Sequence, residues 1–351
     1  MTMSHSPLWN SAAPVVITRR AAVTALGATV LAPSIGGAAA GSQNILDVHS
    51  HYVSPAYVRE LGPEGYVSEN MRGWSLSALL EAMEQAAVVR SILSVTTPAI
   101  PVAGTRSQRI ARELNEYGAR LVLDHRPRLG LFASLPMRSG LDAALAEAAY
   151  ALDILKANGI ALLTSYEDRW LGDPAFLPLY EELNRRKATI FVHPTIAACC
   201  NPKLPFVRTS VIEYGTDTTR AITNYVYRGA ARRFAQLRVI FCHAGGTMPF
   251  LIERFDVTDQ INRAVRVAAP HGFRAEIRRF FYDVAQSSNP VATRALREVV
   301  PVTQIVFGTD YPYRTQTEHV SSLESGGVFS ADELKGIYHG NVARDLPGLL
   351  A

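Results

Sequence analysis

Cysteine is scarce in this sequence: three in 351 residues, two of them adjacent. That scarcity excludes a disulfide framework and removes the sulfur ligands of a closed structural zinc site. Cys199 and Cys200 are neighbours, a spacing at which a bond rarely forms, while Cys242 precedes a histidine in an apolar run and points the opposite way along a strand. All three read as structural or incidental, with Cys199 and Cys200 the thiols to test for modification in an oxidising compartment. Runs of one charge are lacking too. The formal net charge is +4, of which Arg19 and Arg20 supply two, and no basic run stands elsewhere, so a nucleic-acid partner is not expected. Outside the N-terminal stretch no sequence repeat or low-complexity segment stands out. What is present is a chain 48% hydrophobic and 19% charged, able to bury a large core and long enough for two ordinary domains or one α/β barrel.

No acidic residue precedes Gln43, and "ITRRAAVTALGATVLAPSIGGAAAG" runs from a paired arginine through an apolar segment to small residues, the order of an export signal. Its uncharged part, Ala21 to Ala32, is about half of the ~20 residues a membrane-spanning helix needs, and Pro33, Gly36 and Gly37 follow, so no stable span is expected. Arg19-Arg20 after Thr18 resembles a twin-arginine signal, with Ala22 in place of the usual bulky apolar residue. Residues 1–40 are read as a leader cleaved near Ala38-Ala39-Ala40, and 41–351 as one exported, periplasmic domain. A leader that does not function leaves the protein in the cytoplasm.

Beyond it, short β-rich runs alternate with helical patterns. The runs are Ile45 to His49, Ser91 to Val95, Leu129 to Leu135, Ile160 to Thr164, Thr189 to His193, Arg238 to His243, Phe280 to Val284 and Gln304 to Gly308. Between them Leu76, Leu79, Leu80, Met83 and Ala87 follow helical spacing, as do Leu141, Ala144, Leu145, Ala148, Leu152 and Leu155 until Asn158-Gly159. Asp173-Pro174 reads as an N-cap and first-turn proline opening another helix. Eight such units predict an α/β fold, a single (β/α)8 barrel of the TIM type, with 52–74, 96–104 and 194–216 as loops above it.

In the first run side chains alternate, so His49 and His51 share a face, with Asp47 one step lower. His193 closes "TIFVH", His243 closes "VIFCH" and Asp310 closes "IVFGTD". In an α/β barrel those strand ends converge on one rim, where active sites are built. Imidazole and carboxylate suit Zn²⁺ and related divalent ions, and His49, His51, His193 and Asp310 are assigned to one metal. The strand around "GIALLTS" carries no lysine to bridge a second. His5 lies in the leader, and His125, His271, His319 and His339 read as surface or local capping residues.

"DVHSHYVSPAY", "LGLFASLP", "WLGDPAFLPLYEELNRRKATIFVHP", "VIFCHAGGTMPFLIERF" and "VFGTDYPY", spread from Asn44 to Leu349, together resemble the amidohydrolase superfamily. The resemblance is to its amidohydrolase-2 branch, which contains aminocarboxymuconate-semialdehyde, 6-methylsalicylate and γ-resorcylate decarboxylases. It implies a mononuclear zinc or manganese site held by His49, His51, His193 and Asp310, with His243 of "CHAGG" as catalytic acid/base and Asp310 as a further proton shuttle. It also implies a homodimer.

The expected activity is thus metal-dependent, non-oxidative decarboxylation of a small hydroxy-aromatic or related unsaturated acid, with Zn²⁺ preferred and Mn²⁺ the alternative. Arg72 is a candidate to pair with the substrate carboxylate, and Trp74, Tyr52 and Tyr311 to wall its ring. Arg220 is read as a structural partner of Glu213 or Asp217. Two other readings keep the same residues: a hydrolase in which metal-bound hydroxide attacks a carbonyl, and an exported metal- or ligand-binding protein without turnover. A pure binding site has no use for His243.

Overall fold

The computed structural model describes residues 44–200 and 204–351. The leader expected at 1–40 lies outside the described residues. Eight parallel strands follow one another around a barrel: β1 (Ile45–His51), β2 (Val88–Ser94), β3 (Leu129–Ser134), β4 (Gly159–Leu163), β5 (Thr189–His193), β6 (Arg238–Phe241), β7 (Phe281–Asp283) and β8 (Ile305–Val306). All eight expected runs are strands. Their ends differ by up to three residues, most at β2, which starts at Val88 rather than Ser91; at β8 the pairing with β7 stops at Val306 and the chain runs on to carry Asp310.

The ring closes between β1 and the segment after β8. Val48 N–H donates to the Phe307 carbonyl (3.0 Å), Asp310 N–H to His49 (2.8 Å), and His51 N–H to Tyr311 (2.8 Å). These bonds set the first two histidines beside the last carboxylate. The strands are rich in Val, Ile, Leu and Phe because both faces are covered. Leu46, Val48, Ile92, Phe132, Phe191 and Ile240 fill the interior, and Val342, Leu346 and Leu349 join that cluster from the C-terminal segment. A second apolar layer packs the outer helices on the barrel.

Helix starts follow local chemistry. Ser54, Ser75 and Asn289 cap their helices, and Asp173 caps a short 3-10 turn ahead of the helix Leu177–Arg185. Ala87 falls outside the helix Leu76–Gln85, at φ +55°. The stretches read as loops carry structure of their own: the helices Pro55–Leu61 and Glu69–Arg72 in the first, and the start of the helix Ser210–Tyr227 in the last. None of the described helices is long and apolar enough to cross a membrane.

Candidate metal centre

His49, His51, His193 and Asp310, all buried, offer ligand atoms within 4.8 Å of one another at the carboxyl rim. Each ring is oriented by its Nδ1–H. That of His49 donates to Asp283 Oδ2 (2.9 Å), that of His51 faces the Ser94 carbonyl (3.3 Å), and that of His193 donates to the Pro194 carbonyl (2.8 Å). Every Nε2 therefore turns a lone pair inward. His49 Nε2 and His51 Nε2 stand 3.2 Å apart, and Asp310 Oδ1 is 2.8 Å from the second and 3.3 Å from the first. Acceptors packed this closely repel unless a cation lies among them, and nitrogens each about 2.0–2.1 Å from one ion are spaced in this way. The buried group is a divalent-metal site.

β1 pairs irregularly with β2 between Asp47 and Ser50, and the strict alternation that would align Asp47 with the rings fails. Asp47 instead accepts from His49 N–H (3.0 Å), Thr309 Oγ1 (2.7 Å) and Gln316 Nε2 (2.9 Å).

Asp283, at the end of β7, was not singled out in the sequence. It takes the His49 ring on Oδ2 and the His243 backbone N–H on Oδ1 (2.9 Å), tying a metal-site histidine to the turn that carries the fifth residue. Only a glycine fits at 308, where an added Cβ would lie 2.9 Å from both His49 and Asp283 Cβ. The signal available was a carboxylate inside the apolar run "FFYDV", since Asp is almost never fully buried unpaired. Asp283→Asn is expected to turn an N–H donor toward His49 Nδ1, force the wrong tautomer and weaken metal binding about 10–100-fold. Chelator competition reads this, and unchanged affinity would contradict the role.

His243 opens a turn in which His243, Ala244, Gly245 and Gly246 all have positive φ (+56°, +56°, +74° and +68°). Gly246 is required there, because its Cβ would meet the Gly215 carbonyl at 2.1 Å. A non-glycine residue held at such a φ stores strain that surrounding contacts must sustain. The turn presents His243 Nε2, buried and without a hydrogen-bond partner, 3.6 Å from Asp310 Oδ2.

Burial pushes the His193 imidazolium down to about 3, which keeps its Nε2 free to ligate. For His193 the folded pKa lies below the ordinary 6.5, so between those values the unfolded chain binds the extra proton and stability falls as pH falls. The metal-free wild type is accordingly expected to lose more unfolding free energy than His193→Gln between about pH 7 and pH 4, measured by urea titration.

The substrate candidates are not brought to this centre, and four readings are corrected. The Arg72 guanidinium donates to the carbonyls of Gly62 (2.5 Å) and Val67 (3.2 Å), closing its own loop. Arg72→Ala is expected to leave KM within about twofold, because the guanidinium turns back onto the Gly62 and Val67 carbonyls of its own loop and its truncation removes no contact to the metal-site residues. Tyr52 is fully buried with its hydroxyl on the Leu114 carbonyl (3.1 Å), and Trp74 packs edge-on against it at 6.5 Å. The Tyr311 ring packs against none of the metal-site histidines, in contrast to Tyr313 and Tyr214, and burial with the nearby Glu81 charge raises its hydroxyl. The tyrosine rings at the centre are Tyr313, 6.0 Å from His51, and Tyr214, 6.2 Å from His193, while the core residue Phe191 packs edge-on to His49 at 4.9 Å. Arg220 pairs with Glu213 (3.2 Å) and approaches Asp217 (3.9 Å), as expected. Of the two readings given to His319, surface or local capping, the surface one is excluded: the residue is fully buried, with its ring bonded to the Thr315 carbonyl and the Gln286 N–H.

A parallel eight-stranded barrel with a buried histidine–aspartate metal site on its carboxyl rim defines the class of metal-dependent barrel enzymes. Within it, the chain belongs to the amidohydrolase family, whose model matches residues 46–347. It is 33% identical over 306 residues to a protein named decarboxylase macB from Penicillium terrestre, covering 80% of this chain and 88% of that one. It is 32% identical over 277 residues to 6-methylsalicylic acid decarboxylase of Penicillium expansum, covering 76% and 84%. Among solved structures, dihydroxybenzoic acid decarboxylase of Polaromonas sp. JS666, determined with bound manganese and 2-nitroresorcinol, superposes with a TM-score of 0.75 at 17% identity, covering 87% of this chain and 97% of that one.

Proposed function

We propose that the chain is a metal-dependent, non-oxidative decarboxylase, a carbon–carbon lyase, acting on a small hydroxy-aromatic acid of the 6-methylsalicylate type. The carrying observation is the pairing of a closed set of ligand atoms with one buried, unpartnered imidazole nitrogen, His243 Nε2, directed at the same carboxylate. The decarboxylase names of the relatives support the reading.

His49, His51, His193 and Asp310 would hold one divalent ion, Zn²⁺ in first place, with Mn²⁺ the alternative favoured by the manganese in the Polaromonas structure. Bound there, the ion supplies Lewis-acid neutralisation and orientation of the substrate carboxylate and its neighbouring hydroxyl. His243 delivers its proton to the ring carbon that bears the carboxylate. A C–H bond forms, the C–C bond breaks with its electron pair returning to the ring, and CO₂ leaves. His243 is then reprotonated from solvent, with Asp310 Oδ2 the nearest carboxylate oxygen through which a proton can pass. Tyr214 and Tyr313 stand where they can wall the ring.

The test is incubation with 6-methylsalicylate and related acids in ¹⁸O-water. The expected result is one CO₂ per phenol formed, with no label in the phenol. No CO₂ from any of these acids, with a labelled carboxylate formed instead from a lactone or amide assayed alongside them, would replace this reading with carbonyl hydrolysis.

A further inference from the structure

His319 is a fully buried imidazole for which the chemistry above has no use. Its Nδ1–H donates to the Thr315 carbonyl (3.0 Å), and its Nε2 accepts the backbone N–H of Gln286 (3.0 Å). A ring held by one donor and one acceptor in this way is neutral. The residue it grips sits at φ +54°, a conformation that non-glycine residues disfavour. Gln286 is exposed, yet its side chain does not extend into water: Nε2 donates to Asp310 Oδ2 at 3.0 Å. A strained backbone, a backbone N–H anchored on a buried ring and a side-chain amide anchored on a buried carboxylate all fix one side chain at the metal centre.

The two oxygens of Asp310 are thereby divided. Oδ1 faces His51 and His49 at 2.8 and 3.3 Å, while Oδ2 carries the Gln286 amide and stays 3.6 Å from His243 Nε2, beyond hydrogen-bond distance. We propose that Gln286, held by His319, is a positioning residue for Asp310: its amide locks the carboxylate with Oδ1 toward the ion and keeps Oδ2 from capturing the His243 ring. The proposal rests on the metal-site reading and is independent of the substrate. Without the amide the carboxylate is free to rotate onto His243, and both ion affinity and proton delivery suffer.

The experiment measures Mn²⁺ affinity of the full chain by chelator competition, alongside kcat and KM. Gln286→Leu is expected to weaken Mn²⁺ binding about 10–100-fold and to lower kcat with KM little changed. The melting temperature of the metal-free protein should not move, since the side chain is exposed. Gln286→Glu, equal in size but without the donor, should do the same. In an Asp310→Asn background the Gln286→Leu change should add less than about twofold, because contacting residues that act through one group are not additive. Wild-type affinity in Gln286→Leu, or an equal loss in the Asp310→Asn background, would overturn the proposal. A wild type that binds neither Mn²⁺ nor Zn²⁺ would instead sink the metal reading beneath it.

Discussion

Replacing His243 by alanine is expected to lower kcat for CO₂ release by about 10²–10⁴-fold, the usual worth of a positioned acid or base, while the protein keeps its bound ion. His243 is separable from the ligand set in a way the other histidines are not. It is absent from the group whose ligand atoms converge, and its backbone N–H rather than its ring is what Asp283 holds. The substitution should also be tolerated by the fold, since Ala244 already occupies the same left-handed conformation one residue on, at φ +56°. Steady-state CO₂ evolution and metal analysis on the same preparation decide the matter. Unchanged turnover with metal bound would leave His243 without a catalytic role and favour a site that only binds.

Removing the ion should cost more. Several kcal/mol of charge stabilisation are at stake, or a loss of about 10³-fold or more in rate. The wild type, stripped by chelator, is expected to fall to background and to recover on adding back Zn²⁺ or Mn²⁺. His51→Gln should fall as far and not recover, because one of the two nitrogens spaced 3.2 Å apart is gone. The two experiments differ in what they implicate: full activity after exhaustive chelation removes metal from the chemistry, whereas recovery of His51→Gln by added metal removes only His51 from the ligand set.

The barrel and the converging set could be read in the sequence because both follow from local rules. Apolar runs covered on both faces mark the strands, and chemistry-bearing residues at their carboxyl ends must meet on one rim. His49, His51, His193, His243 and Asp310 each end or follow such a run. The residues that orient them were less visible. Asp283 lies inside a strand that reads simply as core, and Gln286 acts through a left-handed backbone that no composition signals. His319 reads as a surface or local capping residue because its helix, Gln316–Ser325, gives no sign in sequence that one face is turned onto the loop carrying Gln286. The substrate candidates failed for a different reason. Next to the H-x-H pair in sequence, Tyr52 nonetheless sends its hydroxyl to the Leu114 carbonyl, and Arg72 turns back onto the carbonyls of its own loop. Side-chain direction beyond a strand end is set by tertiary packing, which is why the Tyr313 ring packs against His51 while that of Tyr311, two residues earlier, packs against none of the metal-site histidines.

X-ray absorption at the metal edge of the purified protein probes the converging set most directly. It should show one ion per chain with three imidazole nitrogens and at least one carboxylate oxygen, nitrogen distances near 2.0–2.1 Å if the ion is zinc, and one imidazole fewer in His193→Ala. A protein without metal, or an ion whose imidazole shell is the same in His193→Ala as in the wild type, would contradict it.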